Sequence, residues 1–448
     1  MNTKKVLSLG LSVLMCGTLL AGCGGNKEEK GADASGKTLK IAGLDGGYGT
    51  KGWEAVAKKF EELKGCKVEL QFEKNIADTL RPVITSGKDV PDVIYLSIGA
   101  EGGLTDTLVK EKAITDISSL LDMTIPGEKG TVKEKILPGF TDSFTSSPYS
   151  DGKLYLAPIN YSPCGLFYNA GLFKSKGWEV PKTWDEMFEL GEKAKKEGIA
   201  LFTYPTTGYF DAFFSALLNE AVGPEKYNKL MNYDTATWKD AGVKKAFDTV
   251  GKLAKYIEKN TVSNANKEGF TKNQQLILDN KALFCPNGTW LPGEMKDAPR
   301  AKGFEWGFTA LPKLTADGDA YSTTFSEQLY IPTKSNKDNK ELAKEFIAYC
   351  YSDEAAKLFY ENGGAVMPTA NATALIKDDD ANKLFYSVVE KGAKTNPVGF
   401  AAADAIEGVD LTSADGILYG TVNSVMTGKK TVDQWYDAVI KAVQKYDK

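Results

Sequence analysis

The hydrophobic pattern after residue 38 alternates between segments typical of strands and segments typical of helices. The apolar run at residues 39–42 predicts a strand, and two further strands are predicted at residues 67–72 and 93–96. Between the first two strands, apolar residues recur at the spacing of one helical face, namely Trp53, Val56, Ala57, Phe60 and Leu63. Strands and helices in alternation predict an α/β fold with a largely parallel sheet.

Two later helices are indicated by the residues at their first turn. Thr183 is followed three residues later by Glu186, and Thr431 is followed in the same way by Gln434. In such a capping box the hydroxyl accepts a backbone N–H of the first turn, and the later side chain accepts the N–H of the capping residue. Helices are therefore predicted to begin directly after Thr183 and Thr431, and a third is predicted near residues 341–351.

The first 23 residues have a pattern of their own. Lys4 and Lys5 precede an apolar stretch at residues 6–20, which leads into the sequence Leu-Ala-Gly-Cys ending at Cys23. The apolar stretch is shorter than the roughly 20 residues that cross a membrane. The layout resembles a bacterial lipoprotein signal peptide, and a plain secretory signal with an incidental cysteine is the alternative. The resemblance implies removal of residues 1–22, attachment of lipid such as palmitate to Cys23, and a flexible tether over residues 23–37.

Composition excludes several classes of function. The 448 residues suffice for two or three domains, and 42% hydrophobic with 25% charged residues is typical of a globular protein. The net charge of −4, which becomes −6 without Lys4 and Lys5, argues against a nucleic-acid partner. The sequence contains no histidine, which excludes Ser-His-Asp catalysis and histidine-based zinc sites. Paired carboxylates of the glycosidase type remain possible.

Four cysteines follow Cys23, at Cys66, Cys164, Cys285 and Cys350. Their wide spacing contains no Cys-x-x-Cys pair, so it predicts neither a zinc site nor a redox site. An exported chain could form disulfides, but cysteines in a chain of this length are expected to be free thiols in the core. We therefore predict no metal and no cofactor.

Three segments are similar to the extracellular solute-binding proteins of bacterial ABC importers, in particular to the carbohydrate-binding family 1. They are PDVI at 91–94, the run from GLFYNAGLF to PKTWDE at 165–186, and NGTW at 287–290. The resemblance covers about residues 39–448. It implies the two-lobed periplasmic-binding-protein fold of type II, with a hinge of two to three crossover segments near residues 157–161, 308–314 and 353–368.

The resemblance also implies how the chain is divided between the lobes. Residues 38–157 and 312–355 would form the first lobe, and residues 158–311 and 356–448 the second. Because each lobe is built from separate segments, the absence of a Pro- or Ser-rich linker is explained. A ligand would lie in the cleft, and the lobes would close on it by a hinge motion.

A sugar-binding cleft needs exposed aromatic rings and polar side chains that match hydroxyl groups. Trp290, which follows Asn287 at the end of a predicted strand, is the expected stacking residue, and a core tryptophan is the alternative. Tyr48 lies in a glycine-dense loop that follows the first strand and could be a simple turn. The other candidates lie on loops or at the expected crossover, where backbone capping and salt bridges are the competing roles: Ser97, Asn160, Tyr161, Tyr209, Phe210 and Glu327.

The expected function is that of a receptor without covalent chemistry. It would be lipid-anchored at the extracellular face of the cell membrane, capture a sugar or oligosaccharide, and deliver it as a monomer to the permease subunits of an ABC importer. One alternative is the same fold with a polyamine or quaternary amine in an aromatic cage. The other is a surface glycosidase that depends on carboxylates.

Overall fold

The structure is a computed structural model that describes residues 34–149, 151–401 and 403–446. The predicted signal peptide, Cys23 and most of the tether lie outside the described residues. The strands of the described part are β1 (Thr38–Leu44), β2 (Lys67–Glu73), β3 (Val93–Tyr95), β4 (Ala157–Asn169), β5 (Ala200–Phe202), β6 (Ala282–Gly288), β7 (Trp306–Thr309) and β8 (Thr324–Tyr330). The helical segments predicted from the apolar pattern follow these strands in the expected order.

The helices connect and cover the strands. In chain order they are α1 (Lys51–Lys64), α2 (Ile76–Ser86), α3 (Leu104–Lys110), α4 (Val132–Lys135), α5 (Ala170–Lys176), α6 (Trp184–Lys196), α7 (Phe210–Met231), α8 (Thr235–Trp238), α9 (Ala241–Leu253), α10 (Thr261–Asn264), α11 (Phe270–Leu278), α12 (Leu291–Glu294), α13 (Lys340–Tyr349), α14 (Asp353–Gly363), α15 (Asn382–Glu390), α16 (Val422–Met426) and α17 (Val432–Val443). No helix in the described part of the chain combines the length and the apolar character that crossing a membrane requires.

The strands form a mixed sheet in the order β2-β1-β3-β8-β4-β6-β5, with β7 also paired to β4. The pairs β1–β2, β1–β3 and β5–β6 are parallel, whereas β8 and β4 pair antiparallel with all their neighbours. The expectation of a largely parallel sheet is therefore wrong for its middle. Local periodicity carries no information on strand direction, which is decided by partners far away in the chain.

Strands β4 and β8 connect the two halves of the sheet. The start of β4 pairs with β8 beside β3, at Ala157 and Leu329, and its end pairs with β6, at Phe167 and Cys285. Residues 310–323 contact elements of the second half, since Lys313 forms a bridge with Thr183. The assignment of segments to lobes stays a prediction, and these contacts favour a crossing at β8 rather than at residues 308–314.

The helix starts predicted from the sequence are found, with one difference in detail. At Thr431 the full capping box forms, because Thr431 Oγ1 accepts the Gln434 N–H and Gln434 Oε1 accepts the Thr431 N–H. At Thr183 only half of the box forms. The Thr183 hydroxyl accepts the Glu186 N–H, but the Glu186 carboxylate accepts the N–H of Lys182.

The core is divided into clusters that follow the two halves of the sheet. Trp53 and Phe60 of α1 pack under β1 in the first half, as the helical face predicts, but Leu63 is 46% exposed and does not join them. A second cluster surrounds α7 and α17, where the Trp435 ring packs against the Phe247 ring. Within the described residues, Cys66, Cys164, Cys285 and Cys350 are all buried free thiols, which confirms the prediction for the cysteines after Cys23.

Candidate functional site

A cavity of about 470 Å³ opens beside the two crossing strands, and we call it the polar cavity after the hydroxyl, amide and carboxyl groups among its partly apolar lining. Tyr48 reaches it from the loop between β1 and α1, and Ser97 reaches it from the loop after β3. Asn160 of β4 and Glu327 of β8 form its floor, and Phe400 belongs to its wall from the other half of the molecule. The cavity is therefore a cleft between the halves, and four of the predicted site residues line it.

Hydrogen bonds connect these polar side chains. Tyr48 Oη and Ser162 Oγ share a hydrogen bond of 3.0 Å. The Asn160 amide donates from Nδ2 to Tyr95 Oη at 3.2 Å and to Glu327 Oε2 at 3.1 Å. Asn160 Oδ1 has no hydrogen-bond partner, although the residue is buried. An unpaired buried acceptor is costly, so a group of the ligand that donates a hydrogen bond would stabilise the cavity.

The polar cavity contains a carboxyl group, that of Glu327, whose pKa lies in the neutral range. Burial raises the pKa of Glu327 to about 7, because the charged form loses its hydration. Burial also raises the pKa of Tyr48, against the smaller opposing effect of its hydrogen bond with Ser162. Near neutral pH, Glu327 can therefore accept a hydrogen bond when ionised or donate one when protonated.

A second cavity of about 340 Å³ adjoins the first and has aromatic walls. The Trp290 ring lies 5.8 Å from the Phe325 ring and 6.1 Å from the Tyr209 ring, measured between centroids. Phe325 is 39% exposed, which is unusual for so large an apolar side chain. Exposed rings around a cavity are suited to the flat C–H faces of a sugar.

The position of Trp290 is set by the backbone that precedes it. A Cβ atom on Gly288, the last residue of β6, would lie 2.1 Å from two atoms of the Trp290 ring. The ring can take this position only because residue 288 has no side chain. Helix α12 begins directly after Trp290, and its Glu294 accepts hydrogen bonds from Tyr209 Oη at 3.3 Å and from Gln274 Nε2 at 2.7 Å. These bonds hold Tyr209 beside the tryptophan.

Asp211 lines both cavities and was not predicted from the sequence. It lies in the first turn of α7, and its Oδ1 accepts the N–H of Ala212. Burial raises the pKa of its carboxyl to about 7, and the hydrogen bond of Ala212 only partly offsets this effect. Phe325 also lines both cavities, so the two cavities share a boundary. We refer to Asp211 and Glu327 as the cleft carboxyls.

Asp211 and Phe325 were both missed in the sequence analysis, although the sequence held a weak signal for Asp211. Asp211 comes two residues after Tyr209, directly after a loop that leads into a helix, and such loops are a usual place for ligand contacts. Phe325 gave no signal, because an aromatic residue in a strand is ordinary core material until its neighbours are known.

Two predicted residues do not reach the cleft, and the structure corrects both. Tyr161 is 1% exposed and packs against Phe140 and Tyr386. Successive side chains of a strand point to opposite faces, and its neighbours Asn160 and Ser162 point into the cavity. Phe210 is completely buried in the second core cluster and lines neither cavity. In contrast, the predicted site residues Asn287 and Trp290 both line the aromatic cavity.

The charges around the cavities have one sign. Asp106 and the cleft carboxyls line them, while no lysine or arginine of the described residues does so. No group of three cysteine, aspartate or glutamate side chains within the described ranges is arranged to hold a metal ion. The arrangement can accept hydrogen bonds and stack on a ring, and it opposes an anionic ligand.

The fold and the cleft together are those of an α/β binding protein with a candidate ligand site between its two halves. The chain belongs to the bacterial extracellular solute-binding proteins, whose family profile matches residues 55–384. The diacetylchitobiose binding protein NgcE of Streptomyces coelicolor is 27% identical over 87% of each chain. The multiple sugar-binding protein of Streptococcus mutans is 27% identical over 48% of this chain and 51% of its own length.

Solved structures show the same fold at lower identity. RafE of Streptococcus pneumoniae, in its apo form, has a TM-score of 0.67 at 18% identity and is similar over 94% of this chain and 100% of its own. The solute receptor AcbH has a TM-score of 0.66 at 20% identity, over 92% and 97% of the two chains. The predicted two-lobed α/β fold of the solute-binding proteins is thereby confirmed.

Proposed function

We propose that this protein binds a sugar or oligosaccharide in the two adjoining cavities and delivers it to an ABC importer. The observation that carries the proposal is the pairing of a polar cavity with an aromatic one. Hydroxyl groups would bond to Asn160 and Glu327, while a sugar ring would stack on Trp290 and Phe325. The relatives' names support a sugar, because they include binding proteins for diacetylchitobiose and for multiple sugars.

The ligand would be taken up by closure of two lobes. Tyr48 and Ser97 come from one half of the sheet, and Tyr209 and Trp290 belong to the other. A ligand that contacts both halves binds the closed state better and so favours closure. Solution scattering of the empty and loaded protein tests this step, and an unchanged radius of gyration on loading would contradict it.

The proposed location rests on residues 1–23 of the sequence. We propose that Cys23 carries the lipid and that the protein acts as a monomer on the extracellular face of the membrane. Mass spectrometry of the N-terminal peptide would identify the modified residue. The Cys23→Ser variant is expected in the medium rather than in the membrane fraction, and a variant that stays membrane-bound would contradict the anchor.

Titration calorimetry with a panel of saccharides tests the proposed binding. Trp290→Ala is expected to weaken binding of the preferred saccharide by about 2 kcal/mol, roughly 30-fold, as for a stacked aromatic anchor. The matched control is Trp178→Ala, because Trp178 is half-buried against Phe173 and lines neither cavity.

Two outcomes would overturn the proposal in favour of the alternatives. If no saccharide binds while a polyamine or quaternary amine does, the aromatic rings and carboxyls hold a cation. If chromogenic glycosides are turned over continuously, the cleft carboxyls do chemistry and the protein is an enzyme. We propose the receptor because the relatives and the family are named for binding.

A further inference from the structure

The aromatic cavity contains one hydrogen-bond acceptor and one donor that lack side-chain partners. Among the described residues, the Asp211 carboxyl accepts the backbone N–H groups of Ala212 and of Asp211 itself, and no side chain donates to it. Asn287 is 4% exposed, and its Oδ1 accepts the N–H of Gly288 at 2.9 Å, while its Nδ2 has no partner. A buried amide donor without a partner is rare in a folded protein, so it points to a group that arrives with the ligand.

An amide group is complementary to this pair. Its N–H would donate to the carboxylate of Asp211, and its carbonyl oxygen would accept from Nδ2 of Asn287. A single hydroxyl could also serve either residue, but it brings no apolar group for the surrounding rings of Trp290, Tyr209 and Phe325. The methyl group of an acetamido substituent would pack on that apolar wall.

We propose that the aromatic cavity is a subsite for an acetamido sugar, with Asp211 and Asn287 as the residues that recognise its amide. The inference rests on the proposed binding of sugars and narrows it to N-acetylated amino sugars. Because Asp211 and Phe325 also line the polar cavity, a second sugar ring would lie there against Asn160 and Glu327.

Charge gives a second reason for a ligand that is neutral and offers N–H groups. Asp106, Asp211 and Glu327 line the cavities and no described lysine or arginine does so, which disfavours sugars that carry carboxylate or sulfate groups. The same charges leave one rival, a sugar with a free ammonium group attracted to Asp211. The amide and the ammonium are distinguished by the donor of Asn287, which binds a carbonyl and repels a cation.

Calorimetry with three β-1,4-linked disaccharides separates these ligands. Diacetylchitobiose has an acetamido group on each ring, cellobiose has a hydroxyl there, and fully deacetylated chitobiose has an ammonium group. We expect diacetylchitobiose to bind at least about tenfold more tightly than the other two, which is the usual penalty for an unmatched polar group.

Two isosteric variants assign the discrimination to residues. Asn287→Asp keeps an oxygen for the Gly288 N–H and replaces the donor Nδ2 with an acceptor, and Asp211→Asn removes the charge while keeping the shape. Each is expected to reduce the preference for diacetylchitobiose over cellobiose to about threefold or less, and a single cooperative thermal unfolding transition is the check on folding.

The outcomes separate this inference from the proposed function. Equal or tighter binding of cellobiose or of deacetylated chitobiose overturns the acetamido subsite and leaves sugar binding intact. Variants that weaken all three disaccharides by the same factor also overturn it, because they would act on the fold and not on the amide. If no saccharide of any kind binds, the proposed function fails and the subsite fails with it.

Discussion

Replacing Asp211 with asparagine should make the empty protein more stable at alkaline pH. The Asp211 carboxyl has no cationic partner among the described residues, and burial raises its pKa from 3.8 to about 7. Asparagine keeps the oxygen that accepts the Ala212 N–H and removes the charge. In the unfolded chain the carboxylate is hydrated, whereas in the folded state burial opposes its ionisation. The substitution therefore removes a penalty that only the folded state has.

The size of the effect follows from the shift in pKa. A shift of about three units corresponds to about 4 kcal/mol at 1.36 kcal/mol per unit. The backbone N–H groups of Ala212 and Asp211 favour the ionised form, but their effect is already contained in this net shift, in which desolvation is the larger cause. Because the folded pKa is the higher one, the penalty is absent below pH 3.8, grows as the pH rises and is complete above pH 7.

Urea unfolding at pH 5 and pH 8 measures this difference. The stability gained by Asp211→Asn over wild type is expected to grow by about 2 kcal/mol between the two pH values. Glu225→Gln is the matched control, since Glu225 lies in the second part of α7, beyond the kink at Gly223, with its side chain 86% exposed, and its effect should not depend on pH. A gain that is equal at both pH values, or a loss at pH 8, would refute the reasoning.

The other predictions concern ligand affinity measured by calorimetry. Gly288→Ala should weaken sugar binding about as much as Trp290→Ala, because the new Cβ would lie 2.1 Å from ring atoms of Trp290; Gly293→Ala, whose Cβ meets nothing within 4 Å, should not, and equal effects would contradict the role of the ring. Tyr48→Phe removes a cleft hydroxyl and should cost about 1 kcal/mol of binding, whereas unchanged affinity would place Tyr48 outside the site. If the ligand donates to one of the cleft carboxyls, acidification from pH 8 to pH 6 should weaken binding about tenfold, since the pKa of that carboxyl near 7 falls in the complex, and stronger binding at pH 6 would exclude this arrangement.

The sequence predicted the elements of the fold better than their pairing. Residues 39–42, 67–72 and 93–96 were predicted as strands and lie in or largely within β1, β2 and β3. Their alternation of apolar residues is a local property, and so is a capping box such as that of Thr431. The antiparallel pairing of β4 with β8 joins residues far apart in the chain, and no local pattern records it. Leu63 shows the same limit, because the helical spacing of apolar residues does not indicate how far the elements that cover that face extend.

The candidate site was predicted where position along an element decides exposure. Trp290 and Tyr48 come directly after strands, and both line the cleft. Tyr161 could have been excluded from the sequence, because Asn160 and Ser162 cannot share a face with the residue between them. Phe325 could not have been found, since its exposure depends on the space left between β8 and the Trp290 loop, which only the tertiary structure defines.

Four side chains around the two cavities are left unsatisfied in the empty protein, and two of them, Asp211 and Phe325, are residues that the sequence left unassigned. Asp211 lacks a cation, Asn287 Nδ2 and Asn160 Oδ1 lack hydrogen-bond partners, and the ring of Phe325 lacks a covering layer. Each of these features lowers the stability of the empty fold, so none of them is expected from packing alone. Their common position around two adjoining cavities is explained if one ligand satisfies them together. A substitution such as Asp211→Asn should then raise the stability of the empty protein and reduce the stabilisation that the ligand provides, because both effects come from the same unpaired carboxyl.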